Sequence, residues 1–249
     1  MVKKSILVFL LAASLIIPAV AQGQGGNGNG NGYGQQGKGN RGKGQGQGFD
    51  SGMATLLNNL PYEDVSNREQ SGLIFMREEE KLARDVYAFL FEVWNHRIFR
   101  NISRSENRHM ESIQVLLDKY GLPDPVADDI PGKFSDPELQ TLYHELTAQG
   151  SQSLEAALQV GALIEDLDIF DLKKYLKGTN NSDIKTLYQN LMKGSRNHMR
   201  VFVGQLQRYG VKYAAKFLSP EEMDEIVNSP MERGVYDENG NPIYGSSGW

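Results

Sequence analysis

The chain of 249 residues contains 39% apolar and 23% charged residues, 27 glycines and no cysteine. The lack of cysteine excludes disulfides, thiolate zinc sites, iron–sulfur clusters and cysteine nucleophiles. The formal net charge of -5 does not favour binding to nucleic acid, and we expect no nucleic-acid partner. The apolar fraction is sufficient for a core, so we expect a globular domain rather than disorder throughout.

Residues 1–21 have the layout of a secretory signal peptide. Two lysines precede an apolar stretch from Ser5 to Val20, and Ala19 to Ala21 forms a small-residue cleavage pattern. The stretch of about 16 residues is interrupted by Pro18, and it is shorter than the roughly 20 residues that cross a bilayer. Cleavage near Ala21 is therefore favoured over a retained membrane anchor. We expect an exported protein, either extracellular, periplasmic or on the cell surface.

Residues 22–48 are rich in Gly, Asn and Gln and predict a flexible linker. Thirteen of these 27 residues are Gly, and the segment can bury little apolar surface. The segment carries Lys38, Arg41 and Lys43, so a contact with an anionic cell wall or membrane is an alternative. A plain spacer is favoured. Residues 1–48 hold five basic and no acidic side chains. The remaining 201 residues hold 21 basic and 31 acidic side chains, which gives a net charge of -10.

Residues 49–218 are predicted to form an all-α domain, a four-helix bundle with additional short helices. Apolar residues recur at helical spacing in four long segments, and these are 66–94, 98–120, 152–176 and 182–209. A shorter helix over 136–148 is expected to start with a capping box of Ser135 and Glu138. The remaining residues, 219–249, predict a short helix beginning at Ser219-Pro220 and a tail. The long connection before the third long helix is typical of a bundle with a crossover.

Acids or histidines interrupt each of the four apolar helix faces near mid-length. Glu106 and His109 lie one turn apart and can offer a carboxylate and an imidazole to the same ion. The candidate ligands are Glu80, Glu106, His109, Glu165, Asp168 and His198, with Glu79 as an alternative to Glu80. Burying several unpaired carboxylates is unfavourable, and shared metal ions would remove that penalty. Carboxylate oxygens with imidazole suit iron or manganese and, less exclusively, zinc.

Each candidate also has an ordinary structural interpretation. Glu106 could close a capping box with Ser103 if the second long helix starts late. Any one Glu in the charged run 77–81 could be a solvated surface charge. His198 could be a hydrogen-bonded core histidine, and Asp168 could lie at the rim of its helix. Four helices that all place such residues inward nevertheless favour a metal site.

The first two long helices resemble those of the ferritin-like superfamily, in particular its rubrerythrin-like members. The resemblance rests on Glu80 followed by Ala83 and Tyr87, and on the pair Glu106 and His109. The segments EEEKLARDVY, SENRHM and SRNHMR are also similar to a ferritin-like family of unknown function, over about residues 66 to 210. The resemblance implies two iron ions at a carboxylate-bridged centre. It further implies oxidation of ferrous iron, or reduction of oxygen or peroxide.

The fourth long helix departs from the ferritin-like pattern. Ser195 stands where such proteins usually have the Glu of Glu-x-x-His, three residues before His198. Asp168, one turn after Glu165, could supply the missing carboxylate and restore six ligands for two ions. If it does not, the site holds one ion or none. Tyr87 is expected near the ligands, as a hydrogen-bond partner or as a packed aromatic.

The leading hypothesis is an exported non-haem di-iron oxidoreductase that uses a small oxidant such as oxygen or peroxide. Electrons would come from a separate partner or from ferrous iron, because a rubredoxin-type module requires cysteines. A non-catalytic metal-binding or cell-surface interaction domain is the main alternative. A third hypothesis is a bundle that has lost its metal and keeps the polar residues as a hydrogen-bond network. A homo-oligomer is compatible with the sequence. His96 and His144 lie off the helix faces and are interpreted as surface residues.

Overall fold

The computed structural model describes residues 47–243, which are organised as α-helices joined by turns and loops. The helices are α1 (Gln47–Asn59), α2 (Asn67–Trp94), α3 (Arg97–Lys119), α4 (Pro137–Gly150), α5 (Leu154–Leu176), α6 (Ser182–Arg208) and α7 (Pro220–Asn228). The all-α prediction is confirmed for this part of the chain. The predicted signal peptide and nearly all of the predicted linker lie outside the described residues. No helix within 47–243 is long and apolar enough to cross a membrane.

The four long helices pack around a common core in the cyclic order α2, α3, α6, α5. Residues 95–96 join α2 to α3, and residues 177–181 join α5 to α6. Links this short return the chain alongside the preceding helix, so each pair is antiparallel. The connection from α3 to α5 contains α4, which packs on α2 and α5. The core therefore lies between two helical hairpins.

Side-chain caps mark where α2, α4, α5, α6 and α7 begin. A capping box starts α2, where Ser66 and Glu69 exchange hydrogen bonds. The box predicted for α4 is wrong, because Asp136 is the N-cap and accepts the backbone N–H of Glu138 at 2.8 Å. The carboxylate of Glu78 accepts the backbone N–H of Asp136 at 3.1 Å and so ties this end of α4 to α2.

The charged run 77–81 is buried, which overturns its interpretation as a solvated surface. Arg77 lies 3.0 Å from Asp124 in the connection to α4. Lys81 lies 2.5 Å from Asp85 one turn along α2, and both side chains are at most 4% exposed. Lys81 also donates to the carbonyl of Ile130 at 2.8 Å. Arg77 and Lys81 therefore both bind α2 to the connection before α4, and these contacts fix the rotation of α2 about its axis.

Helix α1 was not predicted, and its position depends on a contact with the end of α3. Met53 and Leu57 of α1 are buried in the core. The ammonium group of Lys119 donates to the carbonyls of Leu57 and Leu60 at 2.9 Å. It also lies 2.9 Å from the fully buried carboxylate of Asp183. One lysine thus satisfies carbonyls at the C-terminal end of α1 and pairs with an acid of α6.

Replacing Lys119 by Met tests this contact. We expect K119M to lower the free energy of unfolding by about 3 kcal/mol, because it leaves Asp183 buried without its cation. Urea denaturation measures the loss. The double variant K119M/D183N should recover part of it, because the unpaired charge is then absent. A K119M protein as stable as the wild type would contradict the role of this contact.

Residues 229–243 lie along the outer face of α6. Asn190 exchanges hydrogen bonds with the backbone N–H and carbonyl of Tyr236, at 2.9 and 2.8 Å. Arg196 and Arg200 both donate to the carboxylate of Glu232, at 2.8 and 2.9 Å. These contacts hold residues 229–243 against α6, while 244–249 lie outside the described part.

The Glu232 ion pairs predict a pH dependence of stability. Burial alone would raise the pKa of Glu232, but Arg196 and Arg200 outweigh burial and lower it. The pairs therefore stabilise the fold above the unfolded pKa of about 4.3 and lose this effect as the pH falls through the lower folded pKa. In urea denaturation, E232Q should be less stable than the wild type at pH 7, and the difference should vanish on acidification. E225Q removes an exposed acid of α7 and should show no such difference. A difference for E232Q that is independent of pH would contradict the assignment.

Candidate metal centre

Five of the six predicted ligands converge at the middle of the core. Glu80, Glu106 and His109 form a first triad, and Glu106, Glu165 and His198 form a second. Within each triad, one ligand atom of every residue lies within 4.8 Å of the others. No other group of this kind occurs in residues 47–243. The five side chains come from all four long helices and are buried.

The carboxylate of Glu106 joins the two triads. Its Oε2 lies 2.7 Å from Nδ1 of His109, and its Oε1 lies 2.8 Å from Nδ1 of His198. Glu80 completes the first triad at 3.1 Å from His109, and Glu165 the second at 3.5 Å from His198. The two imidazole rings are 5.6 Å apart. One carboxylate thus spans two equivalent positions, each with its own imidazole and its own second carboxylate.

Several of these atoms have no hydrogen-bond partner although they are buried. Oε1 of Glu106 and Nδ1 of His198 are close, but neither makes a hydrogen bond, and Oε1 of Glu80 has no partner either. Buried polar atoms are almost always satisfied, and an absent ion is one of the few explanations for exceptions. Ligand atoms that face the same ion at about 2.0–2.2 Å lie close together without hydrogen-bond alignment. The residues therefore fit a pair of metal ions.

The charges of the triads are mutually compensating even without metal. Burial would raise the pKa of Glu106, but His198 and His109 outweigh it and hold the pKa well below its usual range. Burial would lower the pKa of His198, but Glu106 and Glu165 raise it to about 10. Burial raises the pKa of Glu80 to about 7, against the lowering effect of His109. A cation bound here would displace protons from the imidazoles, which is the usual coupling of metal binding to protonation.

Asp168 and Ser195 lie beside the triads and contact each other. The hydroxyl of Ser195 donates to Oδ2 of Asp168, and it also lies 3.0 Å from the carbonyl of Leu191. Oδ1 of Asp168 is buried without a partner. Asp168 is not part of either triad, but its carboxylate interacts electrostatically with Glu80 and Glu165. Asp168 thus lies next to Ser195, and one of its carboxylate oxygens has no hydrogen-bond partner.

Tyr87 has both of the roles considered from the sequence. Its hydroxyl donates to Oε1 of Glu165 at 2.5 Å. Its ring packs against Phe99 and Phe202, with centroids 6.5 and 5.3 Å apart. The hydrogen bond holds one oxygen of Glu165 away from the imidazole of His198, so the other oxygen faces the triad.

The structure also decides several alternatives. Helix α3 begins at Arg97, so Glu106 lies within the helix and cannot cap it with Ser103. Glu79, the alternative to Glu80, belongs to neither triad and is buried against α5. Asp168 is 6% exposed and so does not lie at a solvated rim.

The two remaining histidines lie away from the centre. His144 is exposed, as expected. His96 is half-buried rather than exposed, because its ring packs edge-on against Phe99 at the start of α3. Neither belongs to a triad.

Gly194 positions His109 and was not singled out from the sequence. A Cβ atom at residue 194 would lie 2.4 Å from Nε2 of His109. The missing side chain therefore provides the space for the imidazole of α3 beside α6. A glycine inside a long helix, where it costs about 1 kcal/mol relative to alanine, was the signal for this close approach.

Substituting Gly194 by Ala tests whether this space sets the first triad. We expect G194A to push the imidazole of His109 away from Glu80 and to reduce metal binding by about one ion per chain, by the geometry of the contact. G204A is the matched control, because Gly204 lies on the same helix and a Cβ there would meet nothing within 4 Å. G204A should keep full binding and gain up to about 1 kcal/mol of stability. Metal analysis after dialysis compares the two variants, and equal metal content would contradict the role of Gly194.

Comparison with known proteins places the chain in a family. A family model described as "Uncharacterized protein domain (DUF2202)" matches residues 69–230, which include all the site residues. The chain is 51% identical to the uncharacterized protein MJ0754 of Methanocaldococcus jannaschii over 183 residues. This alignment covers 74% of this chain and 99% of that protein. It is also similar to the crystal structure of the hypothetical protein MJ0754 from Methanococcus jannaschii. That similarity has a TM-score of 0.69 and 52% identity, and it covers 70% of this chain and 99% of the other. The chain therefore belongs to the DUF2202 family.

Proposed function

We propose that this chain is an exported ferritin-like protein that binds two metal ions, preferentially iron, and oxidises ferrous iron with oxygen or peroxide. The observation that carries the proposal is the pair of triads that share Glu106. A Glu-x-x-His pair on one helix and carboxylates from facing helices are the usual way in which ferritin-like four-helix bundles hold two metals. Export is proposed from the signal-peptide pattern of residues 1–21.

The donor atoms support iron as the metal. Three carboxylates and two imidazoles are hard or borderline ligands, which suit iron or manganese and less exclusively zinc. The chain has no cysteine to favour a softer metal. Iron in such a site supplies electron transfer, and two ferrous ions provide the two electrons that, with two protons, reduce one peroxide to two waters.

The protein residues have separate roles in this proposal. Glu106 would bind both ions and keep them adjacent, while His109 and His198 would each bind one. The hydroxyl of Tyr87 fixes one oxygen of Glu165, and Ser195 fixes one oxygen of Asp168. The remaining oxygen of each carboxylate is then directed to the centre.

The surroundings of the centre suit a small oxidant. The side chains of His109 and His198 are 10% and 11% exposed, whereas those of Glu106 and Glu165 are 2% exposed. The imidazoles thus form the side of the centre nearest to solvent. A small molecule such as oxygen or peroxide could approach there, while the carboxylates remain shielded from bulk water.

Metal analysis of the purified protein tests the proposal. After growth with added iron, we expect two ions per chain, an oxo-bridge band in the near ultraviolet, and consumption of oxygen or peroxide when ferrous iron is added. E106Q should lose both ions, because it removes the shared ligand. D168A should retain about one ion, because Asp168 is proposed as the sixth ligand. E92Q removes an exposed acid at the far end of α2 and serves as the control with two ions.

Other outcomes would point to other functions. Two ions per chain without turnover of oxygen or peroxide would favour a non-catalytic metal-binding domain. A wild-type protein that binds no metal would favour a core in which the histidines and acids form a hydrogen-bond network. A D168A protein with two ions would remove Asp168 from the ligand set and leave the rest of the proposal intact.

A further inference from the structure

Helix α5 carries a second group of buried acids outside the two triads. Asp168 and Asp171 lie one turn apart on α5 and are 6% and 0% exposed. Glu79 of α2 is 3% exposed and faces them, because its strongest charge interactions are with Asp171 and Asp168. We call these three residues the acidic path.

The oxygens of the acidic path lack partners. Both carboxylate oxygens of Glu79, Oδ2 of Asp171 and Oδ1 of Asp168 are buried without a hydrogen bond. Buried acids of the same helices that lie outside both the triads and the acidic path have hydrogen-bond or ion-pair partners. Asp166, for example, accepts the backbone N–H groups of Lys216 and Leu218 at 2.5 and 2.9 Å. The acidic path is therefore not a structural network of the ordinary kind.

The acidic path runs from the protein surface to the metal centre. At its outer end, the ammonium group of Lys174 lies 3.0 Å from Oδ1 of Asp171, and the Lys174 side chain is 35% exposed. At its inner end, Asp168 interacts electrostatically with Glu80, Glu165 and Glu106. Glu79 interacts electrostatically with both aspartates and also with its neighbour Glu80.

The ligand atoms of the three acids do not converge on one point. Compact groups of three ligand atoms within 4.8 Å occur at the two triads, and in residues 47–243 the acidic path forms no such group. A series of carboxylates with free oxygens can pass a hard divalent cation along but lacks the shell that would hold it permanently. Negative groups in a low-dielectric cleft also raise the local concentration of cations.

We infer that the acidic path is the loading route by which a divalent cation passes from the surface beside Lys174 to the two triads. The inference rests on the proposed function, since it needs a metal centre as its destination. In the empty protein the Lys174 ammonium neutralises Asp171. An arriving cation replaces it there, and the partly exposed lysine side chain turns to solvent. Glu79 then carries the cation to Asp168 and the triads.

The rate of cobalt uptake tests the loading route. Apo protein is mixed with Co²⁺ in a stopped-flow instrument, and the visible ligand-field absorption reports the arrival of cobalt at the histidines. We expect E79Q and D171N to slow uptake by about tenfold or more, since acidic clefts change association rates by roughly 10- to 1000-fold. Both variants should still bind two cobalt ions per chain at equilibrium.

Substituting Lys174 should change the rate of cobalt uptake in the opposite direction. K174A removes the resident positive charge and should speed uptake by roughly threefold, in line with electrostatic steering. K177A removes an exposed lysine of the same region, and E92Q removes an exposed acid of α2. These controls match the changes in net charge and should leave the rate unchanged.

The outcomes separate the loading route from the metal centre. E79Q and D171N proteins that load two ions at the wild-type rate would overturn the route while leaving the centre intact. An E79Q protein that binds one ion fewer would make Glu79 a permanent ligand and would also overturn the route. A wild-type protein that binds no cobalt would overturn the proposed function, and the route with it.

Discussion

The sharing of one buried carboxylate between two imidazoles is the constraint on which the core depends. Glu106 lies within 2.8 Å of both His109 and His198, which come from adjacent helices. Removing carboxylates and imidazoles from water is unfavourable unless each is paired. The arrangement meets this requirement only when α2, α3, α5 and α6 are all in register. The packing that aligns the four helices is therefore also what brings the residues of the centre together.

Buried charges in this molecule fall into two classes. Some have dedicated partners that hold a segment in place, as Asp166 holds the backbone at Lys216 and Leu218. Others, including Glu79 and Oε1 of Glu80, have none. Because an unpartnered buried charge is destabilising, its presence requires a compensating role. Apart from one oxygen of Asp183, the unpartnered buried carboxylate oxygens of residues 47–243 lie in the triads and the acidic path, whereas charges of the first class bind a helix to a neighbouring segment.

Helical periodicity was sufficient to predict the four long helices and which of their faces point inward. It could not separate Glu79 from Glu80, because both lie on apolar seams and the rotation of α2 is fixed by ion pairs such as Arg77 with Asp124. Helix α1 was missed because its position depends on Lys119, 62 residues further along the chain from Leu57. The role of Gly194 was hidden because it depends on a contact with another helix. Tertiary contacts therefore account for the alternative that the sequence left open at Glu79 and for the two features that it missed.

The two triads differ in how much chain must close to form them. Glu80 and His109 are 29 residues apart, within the hairpin of α2 and α3. Glu106 and His198 are 92 residues apart, on either side of the connection that contains α4. Contacts that close short loops form faster than contacts that close long ones. The contact of Glu80 with His109 within one hairpin can therefore form earlier in folding than the contact of Glu106 with His198, which joins the two hairpins.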